Sequence, residues 1–289
     1  MLGKLLRYEW KSVWKVETFL AAILLVFSLA EALTLQTPMY ANLFLDQKDL
    51  PDGLKAFAIF TIMGGAMAMI LMCTVAGYIS VIYFGVRYFR SMFGDEGYLT
   101  HTLPVSKKTL MASKYLTAVI WQILISVTIG VCVLIIGASV VLLQLRNGVP
   151  LSKVLEGIME AYESLFENTG VLVHMLIAIF LRSTIQPVVL VATLFGALSI
   201  GQLFNKQRGF WGVVMYFAIN FATGLIGGIF RGIGNVLMID SISGWDDPFE
   251  HFGSWLFFSV DLSLVISLLV AVGLTIFAHH IISEKLNLQ

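Results

Sequence analysis

Charge is scarce in this chain: Asp, Glu, Lys and Arg make up 12% of its 289 residues, against 58% hydrophobic ones. That ratio leaves no segment outside the apolar runs long enough to bury a core of its own, which excludes a sizeable soluble domain. Cysteine is scarcer still. Cys73 and Cys132 both fall in the middle of apolar runs, where two such residues build neither a disulfide framework nor a paired-cysteine metal site, and they read as apolar fillers. No G-x-x-x-x-G-K-[ST] phosphate loop occurs, so the chain lacks that device for holding ATP. No H-E-x-x-H occurs either. Of the five histidines only His279 and His280 are adjacent, and neighbours on a helix point about 100° apart and share no face. With no nucleophile, base and metal set in view, an enzyme is not expected. A nucleic-acid partner is not expected either, although the balance of eighteen basic and eighteen acidic residues by itself says nothing about partners.

What the chain has is length without charge. Ala56 to Val86 and Tyr115 to Leu145 contain no Asp, Glu, Lys or Arg, and each exceeds the roughly 20 apolar residues that cross a bilayer. The same scan adds residues 19–36, 171–204, 210–230 and 255–282. The expectation is an all-α polytopic membrane protein of six transmembrane helices, residues 1–289 forming one membrane domain. Because a charged amphipathic segment precedes the first span and no small-residue cleavage site follows it, that span is expected to be retained.

Basic residues set the orientation. With the N-terminus in the cytosol, the inner segments hold Lys4, Arg7, Lys11, Lys15, Arg87, Arg90, Lys107, Lys108, Lys114, Lys206, Arg208 and Lys285. The outer loops hold only Lys48, Lys55, Arg146 and Lys153. Both termini are therefore expected in the cytosol.

Two segments are amphipathic. Leu2, Leu5, Leu6, Trp10, Val13 and Trp14 recur at helical spacing opposite the stripe Lys4, Arg7, Lys11 and Lys15, the pattern of an interfacial helix at the inner surface. It either anchors the first span or packs as an elbow against a partner subunit. On the outer side Leu151, Val154, Leu155, Ile158, Met159, Tyr162, Leu165 and Phe166 alternate with Glu156, Glu160, Glu163 and Glu167 at a 3.6-residue period. This predicts an external helix with an acidic face. Farther on, the glycine-rich stretch 224–234 either bends a helix back into the membrane or forms a flexible end.

Between the second and third spans lies GDEGYLTHTLPVSKK, Gly94 to Lys108. The second span is expected to run on as a helix through Met92, and the glycines of Gly94-Asp95-Glu96-Gly97 to break it in a turn. Ser106 reads as an N-cap, and Lys107 onward as a helix leading into the third span. Pro104 blocks a helix just upstream. The segment from Tyr98 to Val105 then exposes Tyr98, Leu99, Leu103 and Val105, apolar side chains that suggest a docking surface. Asp95 and Glu96 fit a solvated turn better than acid–base chemistry, which demands a fixed pocket. His101 reads as a contact or surface residue.

The basic amphipathic start Lys4-Leu-Leu-Arg-Tyr-Glu-Trp-Lys11, the six spans and the loop Asp95-Glu-Gly-Tyr-Leu-Thr-His-Thr-Leu-Pro-Val-Ser106 together resemble the permease subunits of bacterial ABC exporters of the type-2 class, particularly those of Gram-positive organisms. The resemblance covers the whole length in architecture and two motifs in residues. It implies that Gly94, Asp95, Glu96, Gly97, Tyr98, Leu99, Thr100, His101, Thr102, Leu103, Pro104 and Val105 contact a separate ATPase subunit. It also implies a dimer of two permeases, like or unlike, with two ATPases in a bacterial plasma membrane. ATP and Mg would then sit on the ATPase, and this chain would carry no cofactor.

Embedded ionisable groups are costly in a bilayer unless they face a bundle interior or water. Glu31, Arg182 and Asp261 are such groups, and Gln186-Pro187 adds a polar side chain and a kink to the fourth span. They read either as an interhelical pair, Arg182 with Asp261, or as the lining of a translocation path. The function expected is therefore that of an exporter's transmembrane subunit moving an apolar or amphipathic cargo such as a peptide, antibiotic or lipid-linked compound. The alternative is a membrane scaffold, sensor or immunity protein that transports nothing.

Overall fold

The structure, a computed structural model, describes residues 2–37, 51–102, 104–165, 169–204, 206–242 and 252–285. Every element among them is helical: α1 (Leu2–Leu35), α2 (Asp52–Phe93), α3 (Asp95–His101), α4 (Lys107–Arg146), α5 (Leu151–Leu165), α6 (Thr169–Gly201), α7 (Arg208–Ile242) and α8 (Phe252–His280), ending in a π-helical turn, Ile281–Lys285. The long helices follow from composition: without water at the bilayer centre, each backbone N–H and C=O must bond within its own segment. Six helices, α1, α2, α4, α6, α7 and α8, are long and apolar enough to cross a membrane. The chain is an all-α polytopic membrane protein.

Two expectations change. The amphipathic start is not a separate interfacial helix but the first turns of α1, which runs unbroken from Leu2 to Leu35. No glycine or proline interrupts it near the span's edge, and the hydroxyls of Ser12 and Thr18 bond back to the Glu9 and Trp14 carbonyls instead of capping a new helix. The glycine-rich stretch 224–234 neither bends back nor ends α7, since a broken helix would leave backbone groups unpaired in lipid. Pro187, expected to kink the fourth span, lies inside α6.

The chain divides into two compact units. The first comprises 1–12, 81–123 and 166–289. Its core joins Val189, Ala192 and Ala271, with Tyr115 and Ile185 packed against them, and α6 lies against both α7 and α8. At the α6–α7 hairpin the backbones nearly touch: a Cβ on Gly201 would stand 2.5 Å from the amide nitrogen of Gly212, and Phe204 stacks on Trp211 at 4.5 Å.

The second unit comprises 13–80 and 124–165. Leu24, Met69, Ala76 and Cys132 form its core, with Cys73 packed beside them. Both cysteines are free. Ser139 donates its hydroxyl to the Ala32 carbonyl at 2.7 Å, and the Gln36 amide donates to Ser139 O at 2.6 Å and Oγ at 2.9 Å. Helix α5 forms as its periodicity predicts, with Val154 buried and Leu151, Leu155 and Met159 exposed beside Glu156 and Glu160. The side chains of Ile158 and of residues from 161 onward lie outside the described residues.

Candidate functional site

The loop is more ordered than its sequence suggests. Gly94 alone breaks the chain, with extended backbone (φ −88°, ψ −165°), and a helical segment, α3, begins at the next residue. Asp95 and Glu96 supply negative charge to its first turn, where the unpaired N–H groups favour it. Gly97 does not close a turn as expected. It is buried in the middle of α3, where a Cβ would meet the Met92 carbonyl oxygen at 2.8 Å. A Cβ on Gly94 would meet Arg90 O at 2.9 Å. The two glycines thus let α3 fold back against the end of α2, an approach that any larger residue obstructs.

From this turn Tyr98 projects outward, 66% exposed. Glu96, Thr102 and Pro104 are also exposed, whereas Thr100 and Val105 are half-buried. Thr100 donates its hydroxyl to Glu96 O at 2.7 Å, and the Thr102 amide donates to Tyr98 O at 3.2 Å, closing the helix. Leu103 and the side chains of Asp95, Leu99 and His101 lie outside the described residues. Ser106 caps α4 as expected, its hydroxyl oxygen accepting the Thr109 amide at 3.3 Å.

Around α3 the flanking helices are fastened at three places, all within the first unit. Glu9 of α1 is buried and takes the two cations, Arg87 and Lys114, that bound the uncharged runs at their α3 ends. One carboxylate oxygen lies 2.7 Å from Lys114 Nζ of α4, and the other 3.1 Å from Arg87 Nη2 of α2. One side chain therefore ties three helices, and Trp10 beside it stacks on Trp121 at 4.6 Å. Next, Tyr88 of α2 is buried face to face with Phe195 of α6, centroids 3.9 Å apart at an interplanar angle of 5°. Its hydroxyl lies 3.2 Å from Ser199 Oγ. The single Ser199 hydrogen goes to Phe195 O at 2.8 Å, so Tyr88 donates and Ser199 accepts. Finally, Lys107 at the start of α4 donates to Ile282 O and Ser283 O, each at 3.2 Å. These are carbonyls at the end of the α8 path, which a cation satisfies well.

The embedded groups lie elsewhere. Glu31, in the second unit, is half-buried against α2, where a Cβ on Gly65 would stand 2.8 Å from its Oε1, and its Oε2 is buried without a partner. Arg182 and Gln186, one turn apart on α6, are both exposed. Asp261 lies on α8, and its side chain is outside the described residues, so the expected Arg182–Asp261 pair is not among them. Within the described residues, both ion pairs belong to Glu9.

Sequence reasoning missed Glu9 and Glu17. The second is fully buried, with Oε2 accepting the Ser80 hydroxyl at 2.8 Å and Oε1 unpaired. A signal existed: 9, 13, 17, 20 and 24 fall at helical spacing on one side of α1, and all five are buried. Two acids thus share a seam with Val13, Leu20 and Leu24. Among the described residues no group of three or more His, Cys, Asp or Glu is arranged to hold a metal.

The chain matches no family model, no curated protein and no solved structure. What the site can do is read from its own chemistry.

Proposed function

We propose that this chain is the transmembrane subunit of an ATP-driven exporter in a bacterial plasma membrane, powered by a separate ATP-binding-cassette ATPase that docks on α3 from the cytosol. One observation carries the reading: α3 presents Tyr98 outward while both helices it joins are braced at their near ends by Glu9. A lone turn has little reason to expose an aromatic ring, and a partner that buries it gains both apolar area and orientation. Force applied at α3 reaches α2 and α4 together, and through Tyr88 and Lys107 it reaches α6 and the end of α8. Closure of the motor on ATP would displace this braced block and alter the packing of the spans.

Two copies with two ATPases would form the working assembly. ATP and Mg stay on the motor, and this chain is not an enzyme. Few embedded charges favour an apolar or amphipathic cargo, a peptide, antibiotic or lipid-linked compound, over a small hydrophilic ion.

The test is association. The tagged full-length chain, extracted from its native membrane, is expected to retain an ATP-binding-cassette ATPase whose hydrolysis it modulates. A chain that recovers no ATPase, and whose loss leaves export of such compounds unchanged, is better read as a scaffold, sensor or immunity protein.

A further inference from the structure

We propose that the first turns of α1 bind anionic phospholipid headgroups through Lys4, Arg7 and Lys11. These residues and Tyr8 stand at i, i+3, i+4 and i+7, one face of a helix, and all four are exposed, Tyr8 at 70%. None of the three cations makes an ion pair among the described residues. The acid that would neutralise them locally, Glu9, points the other way and is held by Arg87 and Lys114. The stacking of Trp10 on Trp121 fixes the rotation of α1 further. What faces outward is cationic, with an aromatic ring at its centre.

Depth identifies the occupant. Arg87 and Lys114 are the charges at which the uncharged runs Ala56–Val86 and Tyr115–Leu145 stop on the inner side, so Glu9, bonded to both, marks the level at which charge begins. Lys11 lies two residues to the membrane side of Glu9 and Lys4 five residues to the other, so the stripe reaches from about 3 Å inside that level to about 7.5 Å outside it. A headgroup layer is itself roughly 5–7 Å thick on each side of the core. Because α1 is one continuous helix, its span holds the stripe at that level. An acidic protein would have to insert among headgroups to reach it, whereas lipid phosphates already occupy the layer, and clustered basic residues beside a span attract anionic lipid. This inference rests on the spanning helices and not on the exporter reading, so either can fail without the other.

The full chain is reconstituted into phosphatidylcholine vesicles containing trace spin-labelled phosphatidylglycerol or spin-labelled phosphatidylcholine, and the motionally restricted fraction of each is read by electron paramagnetic resonance. The unmodified chain is expected to restrict several-fold more phosphatidylglycerol than phosphatidylcholine at low salt, as screening of such contacts predicts. The preference should be lost in Lys4→Gln/Arg7→Gln/Lys11→Gln and kept in Lys55→Gln/Lys153→Gln. Inorganic phosphate should weaken it no more than chloride at equal ionic strength, which separates a lipid headgroup from a free phosphate. An equal preference in the triple variant, or none in the unmodified chain, overturns the proposal. Loss of ATPase binding in the triple variant with no lipid preference at all would assign the face to an acidic protein instead.

Discussion

The carboxylate of Glu9 and the ammonium of Lys114 lie 2.7 Å apart in side chains only 11% and 6% exposed, while the other oxygen of that carboxylate holds Arg87. Removing the acid strands two cations, so Glu9→Ala is expected to destabilise by about 3 kcal/mol, the low end for breaking a buried pair. Lys114→Met should cost less, because Arg87 still compensates the carboxylate. The double change Glu9→Ala/Lys114→Met should be milder than the sum of the two single ones. Thermal unfolding in detergent measures all three, and an unshifted Glu9→Ala protein would show that the carboxylate braces nothing.

A second prediction concerns the α6–α7 hairpin. The Cβ of Gly201→Ala would meet Gly212 backbone atoms at 2.5 and 2.6 Å. Backbone cannot rotate out of the way, and overpacking of this kind costs about 1–3 kcal/mol. The nearest obstacle to Gly212→Ala is a methyl of the Leu198 side chain at 2.9 Å, with Leu198 Cα at 3.2 Å, so its penalty should be smaller. The same unfolding assay ranks them, and equal midpoints would mean that the hairpin is looser than its geometry.

The distribution of basic residues predicts sidedness. In intact cells, a cysteine at Ser106 should be shielded from a membrane-impermeant thiol reagent, and one at Ser152 should be labelled. Both positions are exposed, so reactivity reports side and not burial. Labelling of Ser106 from outside would reverse the orientation.

The spans were legible because a bilayer reads composition, and an uncharged run such as Ala56–Val86 has one stable solution in lipid. The N-cap at Ser106 was legible for the same kind of reason: hydroxyl, acceptor geometry and following helix are all local. Glu9 was not. Its burial depends on cations at positions 87 and 114, and a helical wheel of its own segment sets it beside Leu5, Leu6 and Val13 but shows neither cation. The inner course of the loop was also hidden, since the two glycines that suggest a turn serve instead to admit the Met92 and Arg90 carbonyls. A glycine signals missing volume, and sequence does not say whether the space is needed for a dihedral angle or for a neighbour.

The last prediction separates transporter from scaffold. Tyr98 is exposed on α3, while Gly97 beside it is buried against the end of α2, so the two neighbours test different things. Tyr98→Asp is expected to leave the fold intact, because the side chain is largely exposed, but places a charge where a partner would bury the ring. Association with the ATPase should fall by tenfold or more, about the 1–2 kcal/mol by which a truncated interface anchor weakens binding. Leu99→Asp and Leu103→Asp are expected to act in the same sense, and Glu96→Ala more weakly. Gly97→Leu should instead displace α3 bodily and damage coupling even with Tyr98 present. Binding of the purified ATPase and export per ATP hydrolysed, measured in the same proteoliposomes, distinguish a lost contact from a misplaced turn. If Tyr98→Asp binds its motor and exports at the unmodified rate, α3 is not the coupling element, and the scaffold reading gains what the exporter reading loses.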